Sequence, residues 1–421
     1  MLAPLCPKRK IQPMPLRSLF VDFNSYFASV EQQEQPALRR RPVAVLPVMT
    51  DSTCCIAASY EAKRFGVKTG TNAGEARKKC PGLVLIEARP PLYVEYHHRL
   101  IAAVDSCLPV TEVRSIDEMS CALRGAWRER ETALRLAHEI KARIAATVGE
   151  FMRSSIGIAP NTFLAKTASD MQKPDGLVVI EEGDLPEILF RLQLRDFCGI
   201  GASREARLHA CGIRTVEQLC RAPQEVLRRA WNGIEGNRMY DLLRGEEVER
   251  PPSQRCTVGH SHVLEPKCRT LPLAEAVLHR LLQKAAARLR ALGYLAGGLG
   301  VSVKFLGQRR WSDEMSFLET QETLDFIRVF GLLWRRRPAS LPPPLAVGVT
   351  LFHLTAAHNI TRNLPRMELS RWDGALDQAM DKLNQCYGKN TIYFGGAQPA
   401  LDSAPTRIAF THIPAMEKER S

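Results

Sequence analysis

Two apolar runs, each ending in acid, constrain this chain more than any other feature. Leu19-Phe20-Val21 runs into Asp22, and about ninety-five positions later Val110 to Ile116 runs into Asp117-Glu118. Runs of this length and alternation read as β-strands. If the two are neighbours in one sheet, three carboxylates meet at one end of it. Like charges a few ångström apart repel, so such a cluster needs cations. Mg²⁺ takes oxygen ligands, often carboxylates together with substrate phosphates. Two such ions about 4 Å apart clamp the attacking and leaving oxygens of phosphoryl transfer. An Asp after a strand also serves as a turn or helix cap, so the acids need support from the rest of the chain.

Composition narrows the choice. Lys plus Arg number 58 against 45 Asp plus Glu, a net charge of +13, which favours a polyanion, nucleic acid before membrane. At 421 residues the chain has room for two to four domains, and its 45% hydrophobic content supports sizeable cores. The twelve cysteines form no Cys-x-x-Cys, so they read as reduced thiols of an intracellular protein rather than a zinc site. No apolar run approaches the eighteen or so residues of a membrane span. Met1 to Leu16 is basic and proline-bearing, a flexible arm rather than a secretory signal. The expected location is cytoplasmic, and nucleoid-associated if the protein is bacterial.

Along the chain, the first strand and a helix start are followed by a small, basic, turn-rich region, 34–85, inserted before the rest of the sheet. Strand Leu83–Ile86, helix Leu92–Leu108, the acid-bearing strand, helix Thr132–Val148, strand Ser154–Ala159 and helix Asn161–Met171 follow. That order predicts a mixed sheet with helices on one face. From Leu185 to about Gly245 the pattern is helical with short loops. The polar stretch 246–255, with Pro251-Pro252, reads as a linker. Beyond it comes a βαββαβ unit, with Val301, Val303 and Phe305 on one strand face and Ser302 and Lys304 on the other. Residues 251–360 hold 14 Lys plus Arg against 7 Asp plus Glu. Lys304, Arg309 and Arg310 fall on the solvent side, where a sheet face can follow a phosphate backbone.

Gly199-Ile200-Gly201, then Gly212-Ile213 and Thr215, match a helix-hairpin-helix, whose backbone N–H groups hold a DNA phosphate without reading bases. Phe27, one helical turn beyond Asp22, is placed to reject a ribose 2′-hydroxyl by packing under the sugar. Tyr60, Lys63 and Lys166 are donors with reach to a triphosphate.

Taken in order, these segments resemble the Y-family (UmuC/DinB-type) translesion DNA polymerases. Val21 to Glu31 resembles the family's opening motif, and Ser59 to Val67 its fingers motif. Ser115 to Glu118 resembles its second metal motif. Gly157 to Lys166 and Lys173-Pro174-Asp175-Gly176 resemble the close of its palm. The likeness spans roughly 17–360, and 384–396 is more loosely similar to tails of the UmuC branch. It implies an α+β multidomain right-hand polymerase. After the arm at 1–16, the palm would take 17–28 and 86–170 and the fingers 29–85. The thumb with its helix-hairpin-helix would take 171–245, the linker 246–255, the little finger 256–358 and a tail 359–421.

The resemblance further implies low-fidelity, template-directed dNMP transfer to a primer 3′-OH with two Mg²⁺ ions. Asp22, Asp117, Glu118 and the Phe23 carbonyl would be the metal ligands and Phe27 the steric gate. Tyr60, Lys63 and Lys166 would hold the dNTP, and Gly199, Gly201, Lys304, Arg309 and Arg310 would touch DNA. Lys63 stands where many relatives have Arg, and Ala57 where many have a hydroxyl residue. Ile56 and Gly70 would roof the template. A sliding clamp and other damage-response proteins are expected partners of a monomeric catalytic subunit. Gln193 to Phe197 resembles a clamp peptide only faintly and sits where core structure is expected. Two other readings are a catalytically silent scaffold that binds DNA and a partner polymerase, and a helix-hairpin-helix repair nuclease or glycosylase.

Overall fold

The computed structural model describes residues 14–249, 254–307, 310–338, 340–359, 374–388 and 390–402. The first strand, β1 (Ser18–Phe23), is followed by α1 (Tyr26–Glu34). Next come β2 (Val43–Leu46), β3 (Ala57–Ala58), α2 (Tyr60–Lys63), α3 (Ala73–Lys79) and β4 (Val84–Glu87). The chain continues through α4 (Pro90–Asp105), β5 (Val110–Ser115), β6 (Glu118–Ala122) and α5 (Arg130–Thr147). Then follow β7 (Ser154–Ala159), α6 (Thr162–Met171) and β8 (Leu177–Val179).

Five of these strands form one mixed sheet in the order β5-β6-β1-β7-β8, with only the β7–β8 pair parallel. Central β1 is buried along its whole length. Its side chains divide between two cores. Leu19, Val21 and Phe23 pack with Leu100 of α4 and with Ala137 and Ile140 of α5. Phe20 faces the other way, onto Leu164, Ala165 and Ala168 of α6. The sheet is therefore covered on both faces, which corrects the expectation of helices on one face. The cause is Gly157 on β7. A Cβ there would run into the Ala165 carbonyl and the Ser169 amide, so only glycine lets α6 lie this close. Asp22 shares the α6-facing side of β1 with Phe20, because strand side chains alternate.

The second correction concerns β4. It pairs in parallel with β2 in a separate three-stranded sheet, β3-β2-β4, rather than joining the acid-bearing sheet. That small sheet and α3 enclose their own core around Leu46, Val67 and Ala76.

A helical region follows, with α7 (Ala202–Ala210), α8 (Val216–Arg221), α9 (Gln224–Trp231) and α10 (Ile234–Leu242). The segment before the Gly199 hairpin is not the helix expected there. It forms single 3-10 turns, Glu187–Leu189 and Leu194–Asp196. The Asp196 carboxylate caps the Gln193 amide and closes the second after one turn. Leu194 and Phe197 are buried in this core, so the clamp-like segment is structural.

The last unit is the βαββαβ arrangement read from the pattern: β9 (Thr257–Val263), α11 (Leu271–Ala291), β10 (Tyr294–Phe305), β11 (Arg310–Thr320), α12 (Thr323–Arg335) and β12 (Pro344–Ala356). Its sheet runs β11-β10-β12-β9, and both helices cover one face. α13 (Ala375–Tyr387) and a short 3-10 segment, Gly395–Ala400, return to this unit. Asp377 accepts from the Thr323 amide at 2.8 Å, Arg290 pairs with Asp381 at 2.7 Å, and Arg280 donates to the Ala400 carbonyl at 2.8 Å. The described part of the tail is thus folded onto the helical side. Every cysteine among the described residues is a free thiol. Among those residues no helix is long and apolar enough to cross a membrane.

Candidate active site

The register of β1 against β6 brings the acids together: Asp22 sits directly across from Glu118. The Phe23 amide donates to the Asp117 carbonyl at 2.9 Å, which ties the Asp117 turn to the end of β1. From the far side His97, buried on α4, bonds the Ile116 carbonyl through Nδ1 at 2.8 Å. Ser115 Oγ donates to Asp117 Oδ1 at 2.6 Å. Burial pushes the Asp117 carboxyl up to about 6, with Asp22 and Glu118 adding repulsion against the Ser115 bond.

One cleft of about 240 Å³ collects nearly every residue singled out for the chemistry. Asp22, Phe23, Asp117, Glu118, Phe27, Tyr60, Lys63 and Lys166 all line it. Ile56 and Ala57 border it, whereas Gly70 is not among the lining residues. Phe27 is 5% exposed and stacks on Tyr93 with ring centroids 4.4 Å apart, so it is at once a core aromatic and a wall of the cleft. Lys63 lies over the Tyr60 ring at 4.3 Å. Burial, then the nearby Lys173, lowers the Lys63 pKa from its usual value.

Lys166, expected to reach a triphosphate, lines the cleft and pairs with its acids. Its Nζ lies 2.5 Å from Asp22 Oδ2, 2.8 Å from Glu118 Oε1 and 3.2 Å from Asp170. Burial works against its charge, but Asp22, Asp170 and Glu118 override it and raise its pKa. Lys173, given no role in the sequence reading, lies 2.8 Å from Asp22 Oδ2 and lines the same cleft. Its sequence signal is the Lys173-Pro174-Asp175-Gly176 segment, which follows directly on α6.

Among the described residues no three His, Cys, Asp or Glu side chains converge as a ready metal site. The reason is local: Asp22 turns to two lysines, and Asp117 to the Ser115 hydroxyl. The donors nevertheless suit a hard divalent cation, being three carboxylates and a backbone carbonyl. The raised Asp117 pKa marks a buried carboxylate beside two others, a condition that a divalent cation reverses.

The DNA-contact candidates lie elsewhere. Gly199 adopts φ +86°, Ile200 is buried beneath the hairpin, and Gly201 precedes α7. Lys304 and Arg310 are register partners on the open face of the last sheet, both exposed. Arg309 lies outside the described residues.

Comparison with known proteins places this arrangement. Residues 21–170 match the impB/mucB/samB family, and 255–364 match the impB/mucB/samB family C-terminal domain. A protein named DNA polymerase IV from Moorella thermoacetica is 35% identical over 387 residues, covering 89% of this chain and 94% of the relative. DNA polymerase IV 1 of Bacillus subtilis is 28% identical, covering 93% and 95%. The fold is similar to that of a Y-family DNA polymerase chimera of Dbh and Dpo4. That likeness has a TM-score of 0.67 and 23% identity, over 81% of this chain and 99% of that one. With similarity running through both family segments and nearly the full length of these relatives, the chain belongs to the impB/mucB/samB family and is a Y-family, translesion-type DNA-directed DNA polymerase.

Proposed function

We propose that this cleft performs template-directed dNMP transfer onto a primer 3′-hydroxyl, with the acids of β1 and the β5–β6 turn as its metal-binding centre. The observation that carries the reading is the convergence of Asp22, Asp117 and Glu118 with Phe27, Tyr60, Lys63 and Lys166 around one cleft. Asp22, Asp117, Glu118 and the Phe23 carbonyl would hold two Mg²⁺ ions, whose contribution when bound is a lowered pKa at the 3′-hydroxyl and charge neutralisation at the triphosphate.

The chain's own residues do the positioning. Tyr60 and Lys63 meet the phosphates from the small sheet. Lys166, paired with Asp22 and Glu118, lines the same cleft and would donate to the triphosphate. Phe27 stands fixed on Tyr93 as a wall of the cleft, against which a ribose 2′-hydroxyl would clash. No side chain is set as general base, and the proton goes to water or pyrophosphate.

The open face of the last sheet supports a duplex-binding role. Ser302, Gly348 and Ser261 form one register row of that face, whose small side chains leave room for a phosphate backbone, whereas the Phe352 ring covers Gly298. Lys304 and Arg310 supply charge at one end of it, and the Gly199–Gly201 hairpin supplies backbone donors. A sliding clamp is a further partner on this reading. Nothing favours the silent scaffold, because all three acids are present.

Primer extension on undamaged and abasic templates tests the proposal. Short, error-prone products that need Mg²⁺ and cross the abasic site are expected. Intact primer-template binding without extension would return the scaffold reading.

A further inference from the structure

Four side chains behind the cleft form a ladder between α1 and α4. Phe27 and Glu31 lie one helical turn apart on α1, and Arg89 and Tyr93 one turn apart at the start of α4. One rung is the stack of Phe27 on Tyr93, with centroids 4.4 Å apart. The other is ionic: Arg89 Nη2 donates to Glu31 Oε2 at 2.5 Å and Arg89 Nε to Glu31 Oε1 at 3.1 Å. A diagonal joins the rungs, because the Tyr93 hydroxyl donates to Glu31 Oε1 at 2.8 Å.

The ion pair is costly for a mere packing element. Glu31 is 0% exposed, and a carboxylate there must be matched by a cation and by hydrogen bonds. Its partner Arg89 stands half in solvent, where the chain leaves β4 for α4. The Tyr93 ring is buried, so its hydroxyl needs an acceptor, and Glu31 is that acceptor. Burial, then the Glu31 charge, raises the phenol pKa and keeps the hydroxyl a donor. At its backbone end, the Tyr93 carbonyl accepts from the Tyr26 hydroxyl at 2.6 Å. Tyr93 is thus held at both ends. Phe27 lines the cleft, and the ring beneath it sets how far it protrudes. Rejecting a single hydroxyl by contact depends on fractions of an ångström, because the repulsion is steep.

We propose that Glu31 and Arg89 are positioning residues for sugar selection, which fix Tyr93 and, through it, the height of Phe27 in the cleft. The inference rests on the nucleotide reading of the cleft, with Phe27 as its sugar wall. It gives a selectivity role to an ion pair of which neither member lines the cleft.

Competition between each rNTP and its dNTP, in single-turnover extension by the full chain, tests it. Glu31→Gln removes the charge that holds Arg89, and Tyr93→Phe removes the hydroxyl while keeping the ring. Each is expected to cut the preference for dNTP about threefold to tenfold, the scale of coupling between residues in contact. Arg89→Met acts like Glu31→Gln. Arg89→Lys, which keeps the charge without the fork, restores part of the preference. The double variant Glu31→Leu/Arg89→Leu removes the buried charge together with its partner, which preserves the fold, and it too loses selectivity. On a Phe27→Ala background the same substitutions leave the ratio within about twofold, because they act through that ring. An ion pair that serves stability alone lowers the melting temperature and leaves the ratio parental in every variant, and that result overturns the proposal. An equal change with and without Phe27 overturns it as well. If the parent extends no primer, or Phe27→Ala itself leaves the ratio unchanged, the reading of the cleft falls, and the inference with it.

Discussion

His97 holds the Ile116 carbonyl at 2.8 Å, one residue before Asp117, from a position on α4 where it is 2% exposed. The bond requires a proton on Nδ1, and burial keeps the ring neutral by lowering its pKa. It is the strut that fixes the acid turn against the helical layer. His97→Leu leaves a buried carbonyl unpaired, at a cost of about 1–3 kcal/mol. A displaced acid turn then lowers kcat/KM about 10- to 100-fold. Thermal unfolding and single-turnover extension check the two halves separately.

Phe27→Ala removes the wall that meets the sugar. Ribonucleotide incorporation is expected to rise about tenfold or more relative to deoxynucleotide, equivalent to about 1.4 kcal/mol of discrimination. The stack on Tyr93 goes too, so the variant melts lower. Competition between each rNTP and its dNTP measures the ratio, and an unchanged ratio removes Phe27 from the role.

Gly157→Ala tests the close approach that brings α6 to the acids. The added methyl meets the Ala165 carbonyl and the Ser169 amide, so helix or strand must move. Overpacking of this kind costs about 1–3 kcal/mol. Because Lys166 rides on α6 and touches Asp22, the dNTP KM is expected to rise with the fall in melting temperature.

Lys304→Ala combined with Arg310→Ala tests the open sheet face. Removing one phosphate-binding cation flattens the salt dependence of DNA binding by about one unit of log–log slope. The double variant is therefore expected to flatten it by up to about two units, with affinity falling to a similar degree on every DNA sequence. Titrating primer-template at several salt concentrations gives the slope.

His260, on β9, provides a pH signature. Burial, then Arg288 and Lys284, push its pKa from 6.5 down to about 4. The unfolded chain therefore binds the extra proton between those two values. Stability falls as pH drops through that window and flattens below about 4. Melting curves between pH 7 and pH 5 should show a smaller loss for His260→Gln than for the parent.

What the sequence disclosed and what it hid have a common physical basis. Strands β1 and β10 were legible because their alternation is local, but the two runs that end in acid are not neighbours: the chain turns back after Asp117, and the unread strand β6 lies between β5 and β1 and sets Glu118 across from Asp22. The βαββαβ unit was legible through its local alternation. The partner of β4 was not, because parallel pairing with β2 is a long-range choice that neither strand's pattern states. The second helical face of the sheet depended on one glycine, Gly157, whose need shows only when α6 is in place. Lys173 was read only as part of the Lys173-Pro174-Asp175-Gly176 segment; its contact with Asp22 was not legible, because Asn24 and Ser155, each more than fifteen positions away, hold that turn. Lys166 was read as a donor with reach to a triphosphate; its pairing with Asp22 and Glu118 was not legible, because α6 and β1 lie far apart in the chain.

The central claim is that the carboxylates of β1 and the β5–β6 turn carry the chemistry. The most direct measurement is metal-dependent primer extension by the Asp117→Ala/Glu118→Ala variant beside the parent, with primer-template affinity measured on both. The account predicts DNA affinity within about threefold of the parent, since the DNA-binding candidates lie elsewhere, and extension reduced by at least about 10³-fold, the scale of losing preorganised charge at a reacting centre. Extension near the parental rate, with DNA binding intact, would contradict it.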